Sequence, residues 1–243
     1  MGHRDDQYWA EFFGMAPEDW SSRGVSFRPH VRLAGFRGLW CFRRAQRVVV
    51  SAPPAWVSTL RQRWGRWDLD RLLDPSALQD SLGDDCERCI GPAFQGCLEV
   101  EPRPEPPSPH VRPVTAADRA AIENFERRCG AEAWSTSSLQ DATAFAHVYA
   151  DGPTITAMGG LRGKGEGVGD LCVLTDPHHR GQGRATAALS AVTRAAVEHG
   201  THVLYQTLEA NVAAVRLAFA LGFTRYANHV AVRLRRDRPG DTA

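Results

Sequence analysis

Net charge is nearly missing from this chain of 243 residues, because 29 Lys+Arg offset 28 Asp+Glu and leave +1. So weak a field excludes a generic binder of nucleic acid, and any anion site must be local. Lysine is almost absent too: Lys164 is the only one, a compositional bias from which no function follows. Long apolar runs are lacking. The start, MGHRDDQYWAEFFGMAPEDW, carries no apolar stretch between a basic segment and a cleavage site, and no later window approaches the width of a bilayer, so a cytoplasmic protein without membrane contact is expected. A disulfide framework is equally unexpected, since six cysteines in a chain this long without a signal peptide fit reduced thiols. Cys86-Glu-Arg-Cys89 and Cys97 have a zinc-knuckle gap, but the nearest fourth ligand is His110, across a proline-rich segment. The cysteines read as small buried hydrophobes, and no metal is expected.

What is present is a 43% hydrophobic composition, enough for a substantial core. EPRPEPPSP, residues 101–109, has five prolines in nine residues and forms a stiff connector. It divides an N-terminal α+β domain, 1–100, from a second domain, 110–236, with a tail at 237–243. Upstream, YWAEFFGM reads as a short amphipathic helix, and VSFRPHVRL, GLWCFRRA and RVVVSA as a small antiparallel sheet. Helices open at Pro53-Pro54 and at Asp74-Pro75-Ser76, and CIGPAFQGCLEV closes the region in extended form. Trp40, Trp56, Trp64 and Trp67 are core or interface anchors, since no basic groove accompanies them.

Downstream, HVRPV is a strand and Thr115-Ala-Ala-Asp118 caps a helix through RAAIENFERRCG, with a weaker helical piece at SLQDATAF. AFAHVYADGPTITAMGGLRG has the form of a hairpin turning at Asp151-Gly152-Pro153, and the glycine-rich loop GKGEGVG follows. DLCVLTDP, apolar on both faces, is a central strand. Next come HHRGQGRA, an alanine-rich helix stopping at Gly200, the strand HVLYQTL, the helix NVAAVRLAFALGF and a last strand from Tyr226 to Leu234.

Strand, glycine-bearing loop and helix N-terminus together offer unsatisfied main-chain N–H groups and partial positive charge, which suit a pyrophosphate without a metal. Arg180 and Arg184 can add charge-assisted bonds. Two other nucleotide seats fail on spacing at this turn: neither Gly-x-x-x-x-Gly-Lys-Ser/Thr nor Gly-x-Gly-x-x-Gly is there.

The order of these elements, the motif Arg180-x-x-Gly183-x-Ala185, and Asn211 followed by a helix ending in Leu221-Gly222-Phe223 resemble the GNAT superfamily of acyl-CoA-dependent N-acyltransferases, over roughly residues 111–235. The upstream region from YWAEFFG through VVVSAPP to IGPAFQG resembles the N-terminal part of two-part bacterial members and a degenerate partial copy of the same fold. The resemblance implies an α/β fold of the α+β type, with a mixed, mostly antiparallel central sheet flanked by helices. It implies a splay between the strands around 170–175 and 203–208 that takes the acyl-pantetheine arm against Val173, Leu174 and Thr175. Arg180, Gly181, Gln182, Gly183, Arg184, Ala185 and Thr186 would hold the pyrophosphate, and Asn211 would touch the pantetheine.

The implied reaction moves an acyl group, acetyl first, from acetyl-CoA as cosubstrate to a primary amine of a small molecule or peptide. The partners are thus a coenzyme A thioester and an amine acceptor, on a monomer or homodimer. Attack needs a neutral amine, hence a base. Asp170, at the start of the central strand on the face of Cys172, is the first candidate, followed by Glu166 in the glycine loop and Glu209. Trp134 and His147 could line the acceptor pocket, although core packing suits each as well. One departure stands out. Where the family commonly carries a tyrosine as acid for the leaving thiolate, four residues before the glycine, this chain has Ala218, which leaves open a non-catalytic acyl-CoA-binding or regulatory protein.

Overall fold

The computed structural model describes residues 4–33, 35–98, 108–165 and 167–235. Glu166, the tail at 237–243 and most of the proline-rich segment, residues 101–107, lie outside the described residues. The chain forms two compact units: Met1–Gln95 with Thr207–Val212 and Arg225–Ala243, and Gly96–Gln206 with Ala213–Thr224. The expected division into 1–100 and 110–236 therefore differs from the structure, because most of the last strand joins the first unit. None of the helices among the described residues is long and apolar enough to cross a membrane.

The first unit contains α1 (Arg4–Phe13), β1 (Gly24–Pro29), β2 (Gly38–Arg44), β3 (Arg47–Ala52), α2 (Pro54–Trp64), α3 (Pro75–Leu82), most of β4 (Cys86–Leu98) and, from the far end of the chain, most of β10 (Phe223–Leu234). The strands run in the order β1-β3-β2-β10-β4. Period-two alternation sends Leu39, Cys41, Val48, Val50, Val230 and Val232 toward Leu60 and Trp64 of α2 and Leu78 and Leu82 of α3. Trp40 and Phe42 point the other way, to α1, where the Trp9 ring lies 4.6 Å from Phe42. The sheet is not antiparallel throughout, as expected from the sequence. β1 runs parallel to β3, from Gly24↔Arg47 to Pro29↔Ala52, because it meets the second arm of the β2–β3 hairpin. Alternation identifies strands but not which arm a third strand will meet.

The second unit holds β5 (Val111–Pro113), α4 (Arg119–Cys129), α5 (Ala131–Ser137), β6 (Ala142–Asp151), β7 (Thr154–Gly165), β8 (Val168–Thr175), α6 (Arg184–Glu198), most of β9 (His202–Leu208) and most of α7 (Val212–Ala220). Its order is β9-β8-β7-β6-β5, parallel between β8 and β9 and antiparallel elsewhere. Ahead of α4, Asp118 accepts from Thr115 N at 2.8 Å and takes both Arg112 Nη atoms at 2.8 and 2.6 Å. These bonds hold its carboxyl well below the usual range.

Two local expectations are corrected. SLQDATAF is helical only over one 3-10 turn, Leu139–Asp141: Ser138, left-handed at φ 58°, ends α5, and Ala142 already begins β6. Alanine is neutral enough for strand pairing to prevail there. GKGEGVG is mostly strand rather than loop, with Gly163 opposite Gly169 and Gly165 opposite Val168.

Phe125, Leu139, Val148, Met158 and Cys172 form the core under α4 and α5, with Trp134 packed against it. On the other face, a Cβ at Gly159 would meet Leu189 Cδ2 at 2.7 Å, so a glycine in β7 lets α6 lie close to the sheet.

Candidate active site

The turn from β8 into α6 is built from its first residue. Asp176 is buried, and its Oδ2 accepts from Arg128 Nε at 2.7 Å while Oδ1 accepts from the His178 amide at 3.0 Å. Burial pushes this carboxyl up, but the bonds from Arg128 and His178 and the charge of Arg128 win and hold it below its ordinary value. Anchored this way, the chain makes one tight turn over Pro177–His179 and reaches Gly181 and Gly183, at φ 73° and 74°. Both glycines are exposed, and a Cβ on either would meet nothing within 4 Å, so the conformation, not crowding, selects glycine.

Gly183 caps α6 without any side-chain bond, and no acidic residue sits in the first turn. The first helical bond runs from Ala187 N to Gly183 O at 3.0 Å. Among the described residues, the amides of Arg180 to Thr186 have no recorded acceptor. The expected seat residues therefore sit together on one exposed rim of N–H donors at a helix N-terminus.

The two arginines differ. Arg180 is exposed, with no acidic partner recorded among the described residues. Arg184 is committed inward: it bonds Asp151, Thr156 Oγ1 at 2.7 Å and Gln182 Oε1 at 3.0 Å, and lies 5.0 Å from the Tyr149 ring centroid. The expectation that its guanidinium is open to a phosphate does not match this geometry.

Leading into the turn, Val173, Leu174 and Thr175 are half-buried and pair with Gly159, Met158 and Ala157 of β7. On the opposite edge the register with β9 comprises Val168↔His202, Gly169↔Val203 and Asp170↔Leu204, and ends there although β8 continues to Thr175. In a ladder, alternate residues aim N–H and C=O groups to alternate sides, so this stretch of β8 keeps an edge directed away from β7.

Asp170 lies where that register ends. It is buried and faces Arg162 across the β7–β8 ladder; Arg162 Nη2 reaches Oδ2 at 2.8 Å, and Lys164 Nζ lies 3.7 Å from the same oxygen. Arg162 Nη1 donates to Ser138 Oγ at 3.1 Å. Oδ1 is buried without a hydrogen-bond partner. Burial pushes this carboxyl above its ordinary value, against the pull of Lys164 and Arg162. Burial and the Asp170 charge together raise Cys172 to about 11, so that thiol stays protonated at neutral pH. Neither Arg162 nor Ser138 stood out in the sequence. The register shift between Gly163 and Gly165 is what places Arg162 opposite Asp170, and no local pattern announces it.

The other expected residues are placed differently. Glu209 belongs to the first unit, where its oxygens accept from Arg225 and from Asn228 Nδ2 at 2.7 Å. Asn211, in the same unit, is exposed, and its amide donates to Leu208 O at 2.9 Å just before α7. Ala218 is fully buried in α7. Tyr205, on β9, donates its hydroxyl to Ala214 O at 2.9 Å, and burial holds its phenol protonated. Trp134 packs edge-on to Phe125, and His147 Nδ1 lies 2.9 Å from Phe145 O. Cys86 and Cys89 approach to 3.8 Å, while Cys97 contacts Thr224 and His110 stacks on Tyr149.

The acetyltransferase (GNAT) family profile matches residues 111–223. No curated protein matches the chain. Among solved structures, a GNAT-family acetyltransferase from Novosphingobium aromaticivorans aligns at a TM-score of 0.51 and 19% identity, covering 63% of this chain and 67% of its own. A GCN5-related N-acetyltransferase from Sphaerobacter thermophilus aligns at 0.50 and 19% identity, over 79% of this chain and 73% of its own. For a GNAT-family acetyltransferase from Colwellia psychrerythraea the values are 0.49 and 17%, over 65% of this chain and 61% of its own, so the chain spans less than two thirds of that protein. Such identities speak of the fold alone. The profile assigns residues 111–223 to the acetyltransferase (GNAT) family, whose general chemistry is acyl transfer from coenzyme A.

Proposed function

We propose that the protein transfers an acyl group, acetyl by preference, from coenzyme A to a primary amine of a small molecule or peptide, by direct attack in a ternary complex. The observation that carries this reading is the rim of open amides from Arg180 to Thr186, immediately after a strand whose register with β9 ends at Asp170↔Leu204. The pyrophosphate sits on that rim, with Arg180 beside it, and the pantetheine pairs with the edge of Val173, Leu174 and Thr175.

Asp170 is the base, since its Oδ1 has an unused lone pair and its raised proton affinity suits taking a proton from an ammonium. Glu209 is less suited, both its oxygens being engaged. With alanine at 218, the thiolate leaves without a tyrosine of α7, which its modest basicity allows. The six thiols, all unbridged, suit a reducing compartment such as the cytoplasm.

Calorimetry with acetyl-CoA tests the seat, and no heat at millimolar coenzyme would sink the reading. Ala218 also supports a second reading, a non-catalytic acyl-CoA-binding protein. Thiol release over a panel of amines separates the two, because a sensor binds coenzyme and releases none.

A further inference from the structure

Lys164 is the only lysine of the chain. It lies near the end of β7, two residues after Arg162, and its Nζ stands 3.7 Å from Asp170 Oδ2 with the side chain 34% exposed. Arg162 already holds the same oxygen at 2.8 Å and is fixed in turn by Ser138. The aspartate thus keeps a cationic partner whether or not Lys164 is charged. A primary amine, a carboxylate with a free lone pair and the closed end of the β8–β9 edge therefore meet within one unit.

We infer that Lys164 is an internal acyl acceptor, modified by the protein's own coenzyme thioester. The inference rests on the proposed acyl-CoA reading and adds an acceptor to it. Asp170 takes a proton from the Lys164 ammonium, and the freed nitrogen lone pair attacks the thioester carbon. The N–C bond forms, the amine's second proton is lost to water, and the C–S bond breaks with its electron pair on sulfur. The thiolate takes up a proton, giving coenzyme A and an Nε-acyl-lysine with no change of oxidation state. The neutral amide removes one of the two cations beside Asp170, so the modified protein holds the aspartate's proton more tightly.

The test incubates the full chain with acetyl-CoA and follows intact mass and mapped peptides, with calorimetry on each variant to show that coenzyme still binds. One acetyl group on Lys164 is expected, about a hundredfold faster than on the urea-unfolded chain. Lys164→Arg abolishes it, and Asp170→Asn slows it about a hundredfold. If coenzyme binds but Lys164 stays unmodified, or is modified no faster than in the unfolded chain or in Asp170→Asn, self-acylation is overturned while the transferase reading stands. If coenzyme fails to bind, both fall.

Discussion

Two regions of β8 and the turn after it each bury an aspartate against an arginine, and they do opposite things with it. At Asp176 both oxygens are used, one by Arg128 and one by the His178 amide, and the proton is held less tightly than usual. At Asp170 one oxygen carries Arg162 and Lys164 while the other has no partner, and the proton is held more tightly. Both side chains are closed to solvent, but Asp170 is the more deeply enclosed, so burial outweighs its two cations there, whereas at Asp176 the bonds and charge of Arg128 and the His178 amide prevail. A fully satisfied carboxylate serves as an anchor, whereas a half-satisfied one keeps the capacity to accept a proton.

The largest effect should come from the half-satisfied site. Asp170→Asn is expected to lower kcat about a hundredfold or more while leaving acetyl-CoA affinity within a few-fold, as read from thiol release and calorimetry. An equal loss on Asp176→Asn, with its fold intact, would erase the distinction. Next, Asp176→Ala strands the His178 amide and Arg128; with a third of the Arg128 side chain in water, a loss of about 2 kcal/mol is expected in urea unfolding.

Gly183→Val keeps open space around the new Cβ but forces φ 74° on a branched residue, so the turn should shift and coenzyme affinity drop about tenfold. The smallest effect is a pair of opposite pH slopes about the ordinary aspartate value of 3.8. The depressed Asp176 contributes stability that is present above 3.8 and lost as pH falls through its folded value. The raised Asp170 does the reverse, its contribution declining as pH rises from 3.8 through its folded value. Urea unfolding across pH should lose the first slope in Asp176→Asn and the second in Asp170→Asn.

Much of this was readable in the sequence wherever a local rule governs. Thr115 and Asp118 announce the entry to α4, Gly181 and Gly183 the left-handed turn, and Gly200 the end of α6. Pairings between distant segments were not readable. Only the β7–β8 register brings Arg162 and Lys164 to Asp170, and only the β6–β7 turn brings Asp151 to Arg184. Asp170 could be named as a candidate from its strand, but its oddly provisioned carboxylate appears only with its neighbours in place.

The inward commitment of Arg184 bears on ionic strength. Its cation is already balanced by Asp151, as Arg128 is by Asp176, so on the proposed reading the amides, which are dipoles rather than net charges, would supply most of the attraction for a pyrophosphate. Mobile ions screen separated charges far more than they weaken hydrogen bonds made at contact. Affinity for a polyanionic coenzyme should therefore fall only gently as salt is added, most of that decline tracing to Arg180.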